Sequence, residues 1–181
     1  MRKGSLCFVL AVSVAGAQAG AQTPAAAPPA SCNSPEYRQF DFWLGDWRVQ
    51  DAAGNPVGTN QITSIQGGCV LLENWKGEHN STGNSFNMYY AADRKWHQTW
   101  VDNQGGRLDL AGGLQDGKMV LDGDAPSRKD PGKSVKHRIS WERKGANVRQ
   151  LWQASRDDGK TWIVLFDGLY VPAKTPEPLN R

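Results

Sequence analysis

Beyond about residue 45 the apolar positions recur with a period of two, in short runs rich in Val, Ile, Thr, Trp and Tyr. Side chains on an extended chain alternate between two faces, so this period predicts β-strands. Turn signals rich in Gly, Asn, Asp and Pro separate ten such runs. They are Asp46–Gln50, Val57–Ile65, Cys69–Lys76, Ser85–Ala91, Lys95–Asp102, Arg107–Gly112, Lys118–Gly123, Val135–Glu142, Asn147–Ser155 and Thr161–Tyr170. The longest mid-domain loop is expected at 124–134, where two prolines and alternating charges interrupt the pattern.

Only one segment reads as helical. Ser34 can cap it and Pro35 suits the first helical position. Tyr37, Phe40, Phe42 and Trp43 then give a bulky apolar surface that stops at Gly45.

Consecutive strands joined by short turns, without helices between them, predict an up-and-down antiparallel meander. Ten strands exceed what a strongly twisted open sheet of this length tolerates, and closure removes both exposed edges. The expected fold is therefore an all-β, roughly ten-stranded antiparallel barrel over 34–171, with the helical turn closing one end. A two-layer sandwich is the competing architecture.

The alternation within strands is untidy. One face of Lys95–Asp102 carries Trp96, Gln98 and Trp100, and one face of Asn147–Ser155 carries Val148, Gln150 and Trp152. A filled core would read cleanly apolar on its inner side. Indoles mixed with amides suit a cavity wall, where aromatics bury a ligand and a few polar groups orient it. The plainer reading puts the Gln side chains outside or on neighbouring backbone. Candidate ligand contacts are Trp75, Trp96, Gln98, Trp100, Trp141, Gln150 and Trp152, with Arg149 either packing on the floor or pairing an anionic group.

The most specific stretch is Phe40-Asp41-Phe42-Trp43-Leu44-Gly45-Asp46-Trp47. A helical turn followed by Gly-x-Trp at the first strand resembles the signature of the calycins, which include lipocalins, fatty-acid-binding proteins and nitrobindin-like barrels. The whole looks most like the secreted bacterial lipocalin-like branch. The resemblance implies that Trp43, Gly45 and Trp47 form the barrel floor, and that a basic side chain from a late strand, with Arg149 the natural candidate, packs over Trp47. Three departures qualify it. No long helix follows the last strand, no two-helix lid joins the first two strands, and no His lies near the chain's end to ligate haem, the last being His137. No cofactor is expected.

Composition narrows the partners. Arg2 and Lys3, an apolar run from Leu6 to Ala17, and Ala17-Gln18-Ala19 read as a cleaved signal peptide over 1–19, which predicts a periplasmic or secreted protein. The run is about a dozen residues, too short to span a bilayer of roughly 30 Å. Residues 20–33 read as an Ala/Pro-rich lead-in, and 172–181 as a disordered Pro-rich tail. Without Arg2 and Lys3 the 21 basic side chains become 19, against 18 acidic ones, a net charge of +1. The basic residues are scattered, so nucleic-acid binding is unsupported. Cys32 and Cys69 can bridge in an oxidising compartment; the alternative is two idle thiols.

No catalytic signature is present: no Gly-x-Ser-x-Gly elbow, His-Glu-x-x-His, phosphate loop or Cys-x-x-Cys. No metal spacing relates His79, His97 and His137. Ser155-Arg156-Asp157-Asp158-Gly159-Lys160-Thr161-Trp162 matches a sialidase "Asp box", but a single copy reads as a hairpin turn. The leading expectation is an exported binder of a small hydrophobic or aromatic molecule. The alternatives are a cofactor-free cavity enzyme, using His97, His137 or Tyr89 as acid or base, and an envelope interaction module with a packed barrel.

Overall fold

The computed structural model describes residues 32–127 and 129–173. The expected signal peptide, most of the lead-in and the tail beyond Ala173 lie outside them. A four-residue helix α1 (Pro35–Arg38) and a 3₁₀ turn (Asp41–Trp43) precede ten strands. These are β1 (Gly45–Gln50), β2 (Pro56–Ile65), β3 (Val70–Gly77), β4 (Thr82–Tyr90), β5 (Lys95–Asp102), β6 (Arg107–Gln115), β7 (Lys118–Pro126), β8 (Ser134–Lys144), β9 (Asn147–Ser155) and β10 (Ile163–Pro172). Each strand pairs antiparallel with its successor, and β10 returns to β1, so the sheet closes into a barrel with no free edge. The sandwich alternative is thereby set aside. Among the described residues no helix is long and apolar enough to cross a membrane.

Several boundaries differ from the sequence expectation for physical reasons. The expected loop at 124–134 shrinks because β7 and β8 pair out to Pro126↔Ser134, and Lys136 of β8 lies 3.7 Å from Asp124 of β7. The last strand continues into the Pro-rich segment: Trp47 pairs with Pro172, and the Ala173 N–H donates to Asp46 O at 2.8 Å. The helical segment is also shorter than expected. Ser34 precedes Pro35 but makes no side-chain bond to the helix backbone.

Helical turns seal one end of the barrel. Phe40 stacks on Trp43 at 4.9 Å and meets Trp96 and Trp141 edge-on at 5.5 and 5.1 Å. All four side chains are fully or almost fully buried. Burial of a large aromatic is worth several kcal/mol, so this cluster is the main apolar anchor of the fold. Gly45 takes φ +134° as the chain leaves the plug for β1, a conformation that other residues rarely adopt. Trp47 closes back on the plug, its Nε1–H donating to Trp43 O at 2.9 Å. A disulfide joins Cys32 to Cys69 in the β2–β3 turn, with Cα atoms 5.0 Å apart, fastening the residues before α1 to this closed end.

Candidate ligand cavity

Inward positions sort into three layers along the barrel axis. In β3, β5 and β9 the inward triplets are Leu71-Glu73-Trp75, Trp96-Gln98-Trp100 and Val148-Gln150-Trp152. Register confirms the shared face: Asn87 lies opposite Gln98, Trp75 opposite Gly83, and Trp152 opposite Phe166. The first member of each triplet joins the apolar plug, the second forms a polar middle layer, and the third is an indole towards the open end. The untidy alternation is thus a strand crossing three environments.

Above the middle layer lies a cavity of about 250 Å³, walled by Trp75, Trp100, Trp152 and Phe166 and floored by Glu73, Gln98, Gln150 and Tyr170. It shares Trp100, Asp102, Leu108, Trp152 and Leu165 with a wider recess of about 950 Å³ bounded by the β5–β6 and β7–β8 turns. The rings lie along the wall because glycines leave room beneath them. A Cβ on Gly83 would stand 2.2 Å from the Trp100 ring, and one on Gly168 2.5 Å from Phe166. Trp75 covers Gly58 in the same way, at 2.8 Å. Trp75 and Phe166 meet edge-to-face at 6.0 Å.

The floor is a connected hydrogen-bond network. Ser85 Oγ donates to Glu73 Oε2 at 2.5 Å, and Asn60 Nδ2 donates to Glu73 Oε1 at 2.6 Å. Asn87 Nδ2 donates to Ser85 Oγ at 2.8 Å, and Gln98 Nε2 donates to Asn87 Oδ1 at 2.8 Å. The Tyr170 hydroxyl donates to Gln150 Oε1. Glu73 is 4% exposed. Loss of surrounding water disfavours its charged form and pushes its pKa up to about 6, although the Ser85 and Asn60 donors oppose the shift. Burial, reinforced by the Glu73 charge, also holds the Tyr170 hydroxyl well above its usual range.

Of the side chains expected to meet a ligand, Trp75, Gln98, Trp100, Gln150 and Trp152 line this cavity. Trp96 and Trp141 do not. Both are swallowed by the plug, and Trp96 Nε1–H donates to Glu36 O and Gln39 Oε1 at 3.2 Å. Arg149 is also elsewhere. It alternates with inward Val148 and Gln150, so it points outward, and two bonds of 2.7 and 2.6 Å clamp it to Asp167. The late-strand cation at the closed end is instead Arg143, 5.7 Å over the Phe42 ring. Trp43, Gly45 and Trp47 stand at the plug.

Sequence reasoning passed over Glu73, Tyr170, Phe166 and the Ser85–Asn87 pair. Glu73 could have been found, since Leu71-x-Glu73-x-Trp75 repeats the spacing of the two triplets that were noticed. His137 also points inward, accepting the Trp152 Nε1–H at Nδ1 (3.1 Å), which places its proton on Nε2; burial lowers its pKa. His97 faces outward against Asp93 at 2.8 Å, and Tyr89 packs near the plug against Tyr37. The Asp-box stretch is a turn: Asp157 accepts the Thr161 N–H and hydroxyl and the Ser155 hydroxyl, which holds its pKa down at about 2. Among the described residues no group of three or more His, Cys, Asp or Glu could hold a metal ion.

No protein-family model matches this sequence, and a search of curated proteins finds no match.

Proposed function

We propose that this protein is an exported binder of a small, mainly apolar or aromatic molecule, held inside the barrel. One observation carries the reading: a closed barrel that leaves its centre hollow and floors the hollow with buried polar groups. A barrel serving only as a scaffold gains more by filling its interior with aliphatic side chains, since every buried amide or carboxyl must have its bonds satisfied. About 250 Å³ is close to the lower end of ligand-site volumes and suits a guest about the size of one substituted aromatic ring. The helical turn, Gly45 and Trp47 at the sealed end, together with ten closed strands, support kinship with the calycins. The signal-like first 19 residues support export.

Native mass spectrometry of protein purified gently from its expressing cells tests the reading. The expected spectrum carries an added small-molecule mass that is lost on denaturation and is depleted in Trp100→Ala. Apo-protein alone, from a barrel whose interior also excludes added small aromatics, contradicts it.

Glu73 favours one second reading, a cofactor-free enzyme using the same cavity. A carboxyl with a pKa near 6 can give or take a proton close to neutral pH.

A further inference from the structure

We propose that the occupant of the cavity is a small organic cation, its ammonium group placed among the indoles of Trp75, Trp100 and Trp152 and facing the Glu73 carboxyl. This rests on the cavity reading above and adds the charge class of the guest.

Among the described residues Glu73 and Asp102 line the hollow and no Lys, Arg or His does so. Asp102 is engaged by its own turn and by the Trp100 Nε1–H, so Glu73 is the carboxyl that decides the charge of the guest. Arg149, Arg138 and Lys136 on β8 and β9 are turned outward and engaged, while Arg107, Lys129 and Arg156 belong to the outer recess. Arg149 is paired with Asp167, Arg138 with Asp122 at 2.7 Å, and Lys136 with Asp158 at 3.1 Å. Glu73 is held only by the neutral donors Asn60 and Ser85. A buried carboxylate with no opposite charge is costly, and replacing water around it with amide and hydroxyl donors recovers only part of that cost. A cationic guest supplies the missing charge, whereas a neutral one leaves it uncompensated and an anionic one adds repulsion.

The walls point the same way. An aromatic face carries negative quadrupole density and attracts cations, most strongly for Trp and most strongly when the site is dry. Three indoles around one carboxyl therefore match an amine or quaternary ammonium group. His137 does not reverse this balance: it belongs to the outer recess, and burial favours its neutral form.

Acidity supplies a handle. The titratable groups facing Glu73 across the hollow are Tyr170 from β10, which stays neutral, and Asp102 from β5, whose Oδ1 accepts the Gln104 and Gly106 N–H groups of its own turn. Loss of cation affinity near pH 6 would therefore report Glu73.

The test uses three probes of similar size, benzylammonium, benzyl alcohol and benzoate, titrated by calorimetry and by the fluorescence of the lining indoles. Wild-type protein is expected to bind benzylammonium about tenfold or more tightly than benzyl alcohol, and benzoate weakest. Lowering the pH from about 7.5 to 5 should weaken benzylammonium binding and leave the alcohol unchanged. In Glu73→Gln the two should bind alike. Alcohol or benzoate binding as tight as the amine in the wild type, or a flat pH profile for the amine, overturns the cation assignment while leaving the cavity reading intact. Failure of all three probes to bind overturns both. If Glu73→Gln does not fold, the wild-type pH profile alone decides.

Discussion

Glu73 sets the behaviour of the barrel at the scale of single residues. Its folded-state pKa lies above the ordinary carboxyl value, so its contribution to stability is present in full below about pH 4.5 and is lost as the pH rises through about 6. The difference corresponds to about 2 kcal/mol. Denaturant unfolding at a series of pH values should show wild-type stability falling over that window. Glu73→Gln should flatten the fall, because a neutral amide has no charge to bury. Equal slopes for the two proteins would show that Glu73 is hydrated or paired in solution. Gly83 makes a second case. An added methyl would collide with the Trp100 ring, so Gly83→Ala should swing that indole into the hollow. The expected cost is about 1–3 kcal/mol of stability, with weaker probe binding and a changed tryptophan fluorescence.

Elements show why some of the site was legible in sequence and some was not. Strand number followed from turn residues and period-two alternation, which are local properties. β5 and β9 stand at their expected bounds because Gly, Asn and Asp turns flank both. Ends set by cross-strand pairing, such as β7 and β8 reaching Pro126 and Ser134, depend on the strand opposite rather than on the residue itself and left no local mark. The inner face of β5 and β9 was also legible, but depth along the barrel was not. Trp96 and Trp100 share a face two residues apart, yet one is sealed in the plug and the other lines the hollow. Arg149 was misjudged because a charged side chain between inward neighbours must point outward, and its partner Asp167 lies on the next strand. The layered arrangement predicts a separation of effects. Trp141→Ala, in the plug, should cost about 3–5 kcal/mol in denaturant unfolding. Trp152→Ala, at the open end, should cost clearly less while weakening ligand binding. Similar losses of stability would argue against two distinct layers.

At the scale of the whole molecule, closure and the plug act together. Antiparallel pairing of β1 with β10 removes the last edge, and the helical turn fills the end where the strands converge on Phe40, Trp43 and Trp141. The Cys32–Cys69 bridge ties the residues before α1 to that sealed end. Cys32→Ser/Cys69→Ser should lower the unfolding free energy by about 2–4 kcal/mol while leaving probe binding at the far end nearly unchanged. Everything functional proposed here depends on the centre remaining hollow above a polar floor. A crystal structure of the protein pressurised with xenon tests that directly, because xenon settles in apolar voids. A xenon atom is expected among Trp75, Trp100 and Trp152, above the Glu73 carboxyl. An interior filled by its own side chains, with xenon absent from the barrel axis, would contradict it.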